Sequence, residues 1–186
     1  MKKSISLFLL LFVVLNVSAS KKTRTLHENE LKSLYIFSIC KFTRWSRQPE
    51  SPDNPIIISI LGRTEPESEI VIPKNKRAHK REIIIRKIKD LEEISDSHVL
   101  FITAAEAYRI DGILDYIADK DILSVADTEG FGEKGVIINF FMENKKLRFE
   151  INREAEKKSS IKLHSQLFTI GKLVKSAPKV EKVGGK

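Results

Sequence analysis

Three short runs of apolar, mostly β-branched residues limit the fold most tightly: Ile56–Leu61, Val99–Ile102 and Ile122–Ala126. None alternates polar with apolar residues, so each is expected as a strand buried on both faces. Glu82–Ile88 reads as a further strand. Between the later runs, Ala104–Ala118 is rich in helix formers and sets Tyr108, Ile110, Ile113, Leu114 and Ile117 on one side, the spacing of an amphipathic helix. Buried strands alternating with helices predict a largely parallel sheet covered on both faces. Val136–Phe141 and Leu147–Ile151, joined through Glu143–Lys146, add an antiparallel hairpin near the C-terminus. Ahead of the sheet, Leu31, Leu34, Tyr35, Ser38, Phe42 and Trp45 recur at steps of three and four, predicting a helix that the prolines at 49 and 52 end. Leu163, Leu167, Ile170 and Val174 predict a last helix.

Upstream, Met1, Lys2 and Lys3 precede a nearly unbroken apolar run from Ile5 to Val17, then Ser18 and Ala19. Basic, then apolar, then small is the order of a secretory signal peptide, with cleavage expected after about Ala19. The run is shorter than the ~20 apolar residues that cross a bilayer. The expected organisation is a signal peptide over 1–19, a flexible N-terminus over 20–29, one α/β domain over 30–175 and a disordered basic tail over 176–186. The net charge is +8, of which Lys2 and Lys3 contribute two. An exported basic chain does not meet nucleic acid, so the charge reads as solubility, with at most weak attraction to a membrane surface. Cys40 is the only cysteine. An intramolecular disulfide, a paired-cysteine zinc site and a dithiol redox centre are therefore excluded. On an apolar helix face it reads as a small core residue, with an intermolecular disulfide as the alternative.

Ligands of open α/β sheets meet the loops at the carboxyl ends of the strands. Here those loops are Gly62–Glu67, Thr103–Glu106 and Asp127–Lys134, which makes Asp127 and Glu129 candidate binding groups, although an Asp at a strand end most often caps a turn. Phe149 and Ile151 point to one face of their strand and Glu150 and Asn152 to the other. The apolar pair reads as core. Glu150 and Asn152 either hold the following turn or present polar groups to a partner, with the structural role favoured, and Gln166 has the same two readings. Asp111 and Asp115, with Asp119 and Asp121, read as a solvated helix face. His27, His79, His98 and His164 lack ligand spacing, so no metal is expected. With no Gly-rich phosphate loop, nucleophile elbow or His–Glu metal helix, no catalytic residue and no cofactor are assigned, and the chain is not expected to be an enzyme.

Several blocks together resemble the YfiR-like family of exported bacterial proteins. They are Leu31–Phe37 with Lys41-Phe42-Thr43-Arg44-Trp45, Ile58–Gly62, Ser97–Ile102, Ile122–Asp127, Gly135–Ile137, Arg148–Asn152 and Ser165–Leu167. They occur in family order over roughly residues 30 to 174. The resemblance implies a three-layer α/β/α sandwich and a periplasmic regulator that binds the periplasmic domain of a membrane diguanylate cyclase, with effects on cyclic di-GMP and biofilm. Homodimers occur in the family. This sequence departs from the pattern in places. Ser97 stands where many relatives carry Cys, Lys134-Gly135 replaces a frequent Gly-Gly pair, Cys40 stands where a small residue is common, and the Glu65–Lys80 region is rewritten.

The reading that follows is a signalling adaptor acting by contact on a membrane diguanylate cyclase or sensor kinase. An exposed apolar patch should mark the contact. Phe131, near the loop edge, and Phe140 or Phe141, on the hairpin, are its candidates, since adjacent strand residues face opposite ways. The rival is a periplasmic small-ligand binder, which predicts a concave pocket lined by Arg63, Asp127 and Glu129.

Overall fold

The computed structural model describes residues 20–46, 53–63 and 70–178. The signal-peptide segment, the prolines at 49 and 52 and residues 179–186 lie outside them. Helix α1 (Ser20–Lys41) leads to β1 (Thr43–Arg44), β2 (Ile56–Leu61), β3 (Arg77–Ala78), β4 (Arg81–Ile88) and β5 (Val99–Ile102). Then follow α2 (Ile110–Ile117), β6 (Leu123–Ala126), α3 (Phe131–Lys134), β7 (Ile138–Glu143) and β8 (Lys146–Asn152). The described chain ends with α4 (Arg153–Lys158), β9 (Lys162–Leu163), α5 (Ser165–Ile170) and β10 (Lys172–Val174). Eight strands form one sheet in the order β10-β8-β7-β6-β5-β2-β4-β3, and β1 pairs with β9 in a second, two-stranded one. Strands β4, β2, β5, β6 and β7 run parallel, and β8 returns antiparallel to β7.

The apolar runs explain this arrangement. Every residue of β5 and β6 is buried, because helices cover both faces of the sheet. On one face, Ile36, Ile39 and Cys40 of α1 pack over Ile56, Ile58, Val99, Phe101, Val125 and Phe140. On the other, Ile110, Ile113 and Ile117 of α2, with Phe131 of α3, pack over Leu61, Leu100, Ile102 and Ala126. The result is the expected three-layer α/β/α sandwich, mostly parallel, with a C-terminal hairpin. Asn144 and Lys145 close that hairpin with φ of 49° and 62°, the backbone of a tight two-residue turn. No helix of the described residues is long and apolar enough to cross a membrane.

Some local expectations are corrected. Helix α1 runs from Ser20 to Lys41. Its buried face carries Ser33, Ile36, Ile39 and Cys40, while Leu34 is 50% exposed. Apolar residues surround this helix on most sides, so periodicity alone did not fix its rotation. The Ala104–Ala118 helix divides into a 3-10 turn (Ala104–Arg109) and α2. The tighter winding turns Tyr108 outward, to 80% exposure. The last predicted helix stops at Ile170, and Leu173 and Val174 instead lie in β10, parallel to β8.

The residues around Trp45 tie the layers together. Thr43 Oγ1 donates to Ile39 O at 2.8 Å and closes α1, and Trp45 Nε1 donates to His98 O at 2.9 Å. His98 Nδ1 in turn accepts from Ile57 N at 3.2 Å, and its Nε2 lies 2.8 Å from Nη2 of the buried Arg81.

Candidate functional site

The carboxyl ends of the strands form a closed edge. Asp127 leaves β6 and is held by Lys32 Nζ at 3.0 Å; the same ammonium meets Glu28 at 3.0 Å. Burial acts to lower the Lys32 pKa, but the charges and hydrogen bonds of Asp127 and Glu28 outweigh it and leave it raised. Beyond, Asn139 of β7 donates from Nδ2 to Thr128 O at 2.9 Å and to Glu150 Oε1 at 3.1 Å. The Glu150 carboxylate lies against Gly132, where any Cβ would collide with it. Asn152 is fully buried. Its Oδ1 accepts from Ala155 N at 2.9 Å and caps α4, while Nδ2 donates to Gly132 O at 2.8 Å and Ser176 Oγ at 2.9 Å. Loop 127–134 is thus pinned from below by β7 and β8.

The end of β2 is closed as well. Gly62 has φ +92°, and a side chain there would strike Thr103 and Glu106. Buried Glu106 is engaged by Arg109 at 2.5 Å. Arg63 and Glu129 are exposed, and the clefts described next take in none of Arg63, Asp127 or Glu129. Phe131 is 2% exposed and belongs to the core beneath α2, so it presents nothing to a partner. The two hairpin phenylalanines separate as their alternation requires. Phe140 is core, whereas Phe141 faces the other way, half-buried, with Lys172 Nζ 5.5 Å from its ring centre. Gln166 is exposed on α5.

Two surface features were not legible residue by residue. The first is a groove of about 630 Å³ between α1 and the β7–β8 hairpin. Leu31, Tyr35, Met142 and Leu147 line it, and Lys145, Lys146 and Arg148 stand around it opposite Glu28. Met142, 49% exposed, extends the apolar surface there. The groove has a firm floor, because the Tyr35 ring packs on Phe140 and Phe149 at 6.1 and 5.9 Å.

The second is a cleft of about 410 Å³ where β1 meets β9, with Lys41, Arg44, Lys162, His79 and His164 in its walls and no carboxylate. His164 N donates to Phe42 O at 2.8 Å, and the two rings lie 5.8 Å apart. His79 Nε2 is 3.0 Å from both Cys40 O and Thr43 O. Such a wall attracts anions. In the sequence Lys162 lies more than a hundred residues from Lys41 and Arg44, and only the β1–β9 pairing brings them together.

Cys40 is fully buried, and burial pushes its thiol up to about 12. Among the described residues no group of three His, Cys, Asp or Glu side chains is placed to hold a metal ion. The model of the YfiR/HmsC-like family matches residues 29–172 of the chain. No curated protein matches it.

Proposed function

We propose, because the chain belongs to the YfiR/HmsC-like family, that it is a periplasmic adaptor that binds the periplasmic domain of a membrane signalling protein, a diguanylate cyclase, and modulates its activity. Residues 1–19 direct export and are removed, and the α/β domain over 30–175 does the work. The mechanism is differential binding: contact with one conformation of the cyclase shifts its population and so the cellular level of cyclic di-GMP and biofilm. The observation that supports this most is the apolar groove between α1 and the hairpin. Leu31, Met142 and Leu147 present apolar surface beside a firm aromatic floor and a basic rim, the composition of a protein-contact site for an apolar, acidic segment. Bond-breaking is not part of the reading, and the action is by contact alone.

The test pairs the purified protein with the periplasmic domains of the diguanylate cyclases and sensor kinases encoded in the same genome. One domain should bind saturably, and Met142→Glu with Lys146→Glu should weaken that binding by tenfold or more, which is about 1.4 kcal/mol. Failure of every such domain to bind would refute the reading. Binding that the double substitution leaves intact would move the contact elsewhere. The basic cleft favours a second reading, in which a compact anion bound by Lys41, Arg44 and Lys162 is sensed. A rise in Tm with added phosphate, lost in Lys41→Glu with Lys162→Glu, would support it.

A further inference from the structure

A third cleft, of about 420 Å³, lies between α2, α4 and the C-terminal segment and shares no lining residue with the groove or the basic cleft. Its floor is apolar: Ile117 of α2, Ile122 and Ile137 beside the sheet, and Ala155 of α4. The three isoleucines are nearly fully buried, so the floor is part of the packed core rather than a surface dent. The far wall is the C-terminal segment Ser176–Pro178. Three hydrogen bonds fasten that wall: Ala177 N to Glu133 O at 2.8 Å, Ser176 N to Glu154 Oε2 at 3.3 Å and Asn152 Nδ2 to Ser176 Oγ at 2.9 Å.

The charges at the mouth are asymmetric in what they do. Of the two carboxylates there, Glu154 accepts the Ser176 amide and Asp115 is also engaged. Lys134 and Lys158 line the same mouth and have no ion-pair or hydrogen-bond partner for their ammonium groups among the described residues. Two uncommitted cations over an apolar floor select a molecule with an apolar body and an anionic head. The volume falls within the ~300–1,000 Å³ of small-molecule sites, and an apolar lining with few polar groups is their usual composition. The basic cleft at β1–β9 has more cations but little apolar floor, so it suits a different, more polar anion.

We propose that this cleft is a binding site for a small amphiphilic anion, an aryl or alkyl carboxylate or sulfonate, seated on Ile122, Ile137 and Ala155 with its head at Lys134 and Lys158. The site is independent of the partner-binding groove and stands or falls separately from it.

The test uses 8-anilinonaphthalene-1-sulfonate, which fluoresces on entering an apolar site, and its uncharged relative N-phenyl-1-naphthylamine. The purified protein should bind the sulfonate saturably at one site. Filling the floor with Ala155→Trp, or the mouth with Ala118→Trp should the first fail to fold, is expected to weaken both probes by more than tenfold. Lys134→Glu with Lys158→Glu should weaken the sulfonate by about the same factor and leave the neutral probe unchanged. Lys41→Glu with Lys162→Glu, at the basic cleft, should change neither. Absence of saturable binding, or binding unaltered by filling in variants that melt cooperatively, overturns the proposal. Equal loss of both probes on lysine reversal overturns the role given to the two cations.

Discussion

Ser59 on β2 and Ser97 before β5 are both buried, and their Oγ atoms lie 2.7 Å apart. With Cβ–Oγ bonds of about 1.4 Å, that contact puts the two Cβ atoms near the roughly 3.5–4.5 Å a cystine needs. Ser59→Cys with Ser97→Cys should therefore form a disulfide spontaneously under oxidising conditions. It would close a loop between residues 38 apart in sequence. The chain-entropy relation gives about 4 kcal/mol for a loop of that length. Against this stand the Ser–Ser hydrogen bond and two from Arg86, whose Nε donates to Ser59 Oγ at 2.9 Å and Nη2 to Ser97 Oγ at 3.2 Å. Arg86 keeps its bonds to Asp96 and to Glu93 O, so the loss is partial, about 2 kcal/mol in all. A net gain of about 2 kcal/mol raises Tm by about 4–8 °C in a domain of this size. Thermal unfolding followed by circular dichroism, with and without dithiothreitol, reads the effect, and thiol titration counts the cysteines. Both cysteines remaining free after oxidation would contradict the β2–β5 register and the packing of Ser97 against it.

Three further outcomes follow from the same packing. Cys40, with its thiol pushed up to about 12 by burial, should resist thiol reagents at pH 8 in the folded protein and react at once in denaturant; rapid native-state labelling would contradict its burial. Asp127→Asn should cost about 1 kcal/mol near neutral pH, by removing the main partner of Lys32. Because the folded Lys32 is raised above 10.5, that contribution is complete below 10.5 and fades as pH rises through the folded value, so a wild-type-to-variant difference constant across alkaline pH would refute it. Asn152→Ala removes a helix cap and two buried hydrogen bonds, and should lower stability by about 2–4 kcal/mol in urea unfolding, with a loss under 1 kcal/mol counting against its place in the core.

The central strands were legible because their burial on both faces leaves an unbroken apolar run: Ile56–Leu61 and Val99–Ile102 are strands from end to end. The hairpin was legible from the polar turn Glu143–Lys146 between its two runs. What escaped depends on tertiary contact. Arg77–Ala78 becomes a strand only because His79 and Lys80 turn with positive φ and fold it back on β4. Lys172–Val174 continues a helical apolar spacing, yet it pairs with β8, where Gly171 lies close against Phe149 and Ile151. Among the site candidates, Phe131 was misplaced because a short helix after Gly130 turns it inward, and a loop-like sequence gives no sign of that. The three clefts were invisible because each joins segments distant in sequence.

The residues that carry the family resemblance are, in this structure, the ties between layers. Thr43 and Trp45 fasten α1 to the sheet, His98 links β2 to β5, and Asn152 joins β8, α3, α4 and the C-terminal segment. Each is bonded on the inside, with little left to offer a partner. The hairpin side of the groove is built the other way: Met142, Lys145 and Lys146 are exposed and lie outside every family block, while Leu31 and Tyr35 on the α1 side belong to one. A common scaffold whose contact face is completed by hairpin residues outside the shared blocks lets one fold address different partners. Substitutions in the shared blocks should therefore register as lost stability with binding intact in the folded fraction. Substitutions on the hairpin side of the groove, at Met142, Lys145 or Lys146, should do the reverse, and measuring Tm and partner affinity on one panel of variants separates the two. A Trp45→Ala protein that keeps its Tm but loses its partner would break this division, because the indole would then have to act at the surface rather than between the layers.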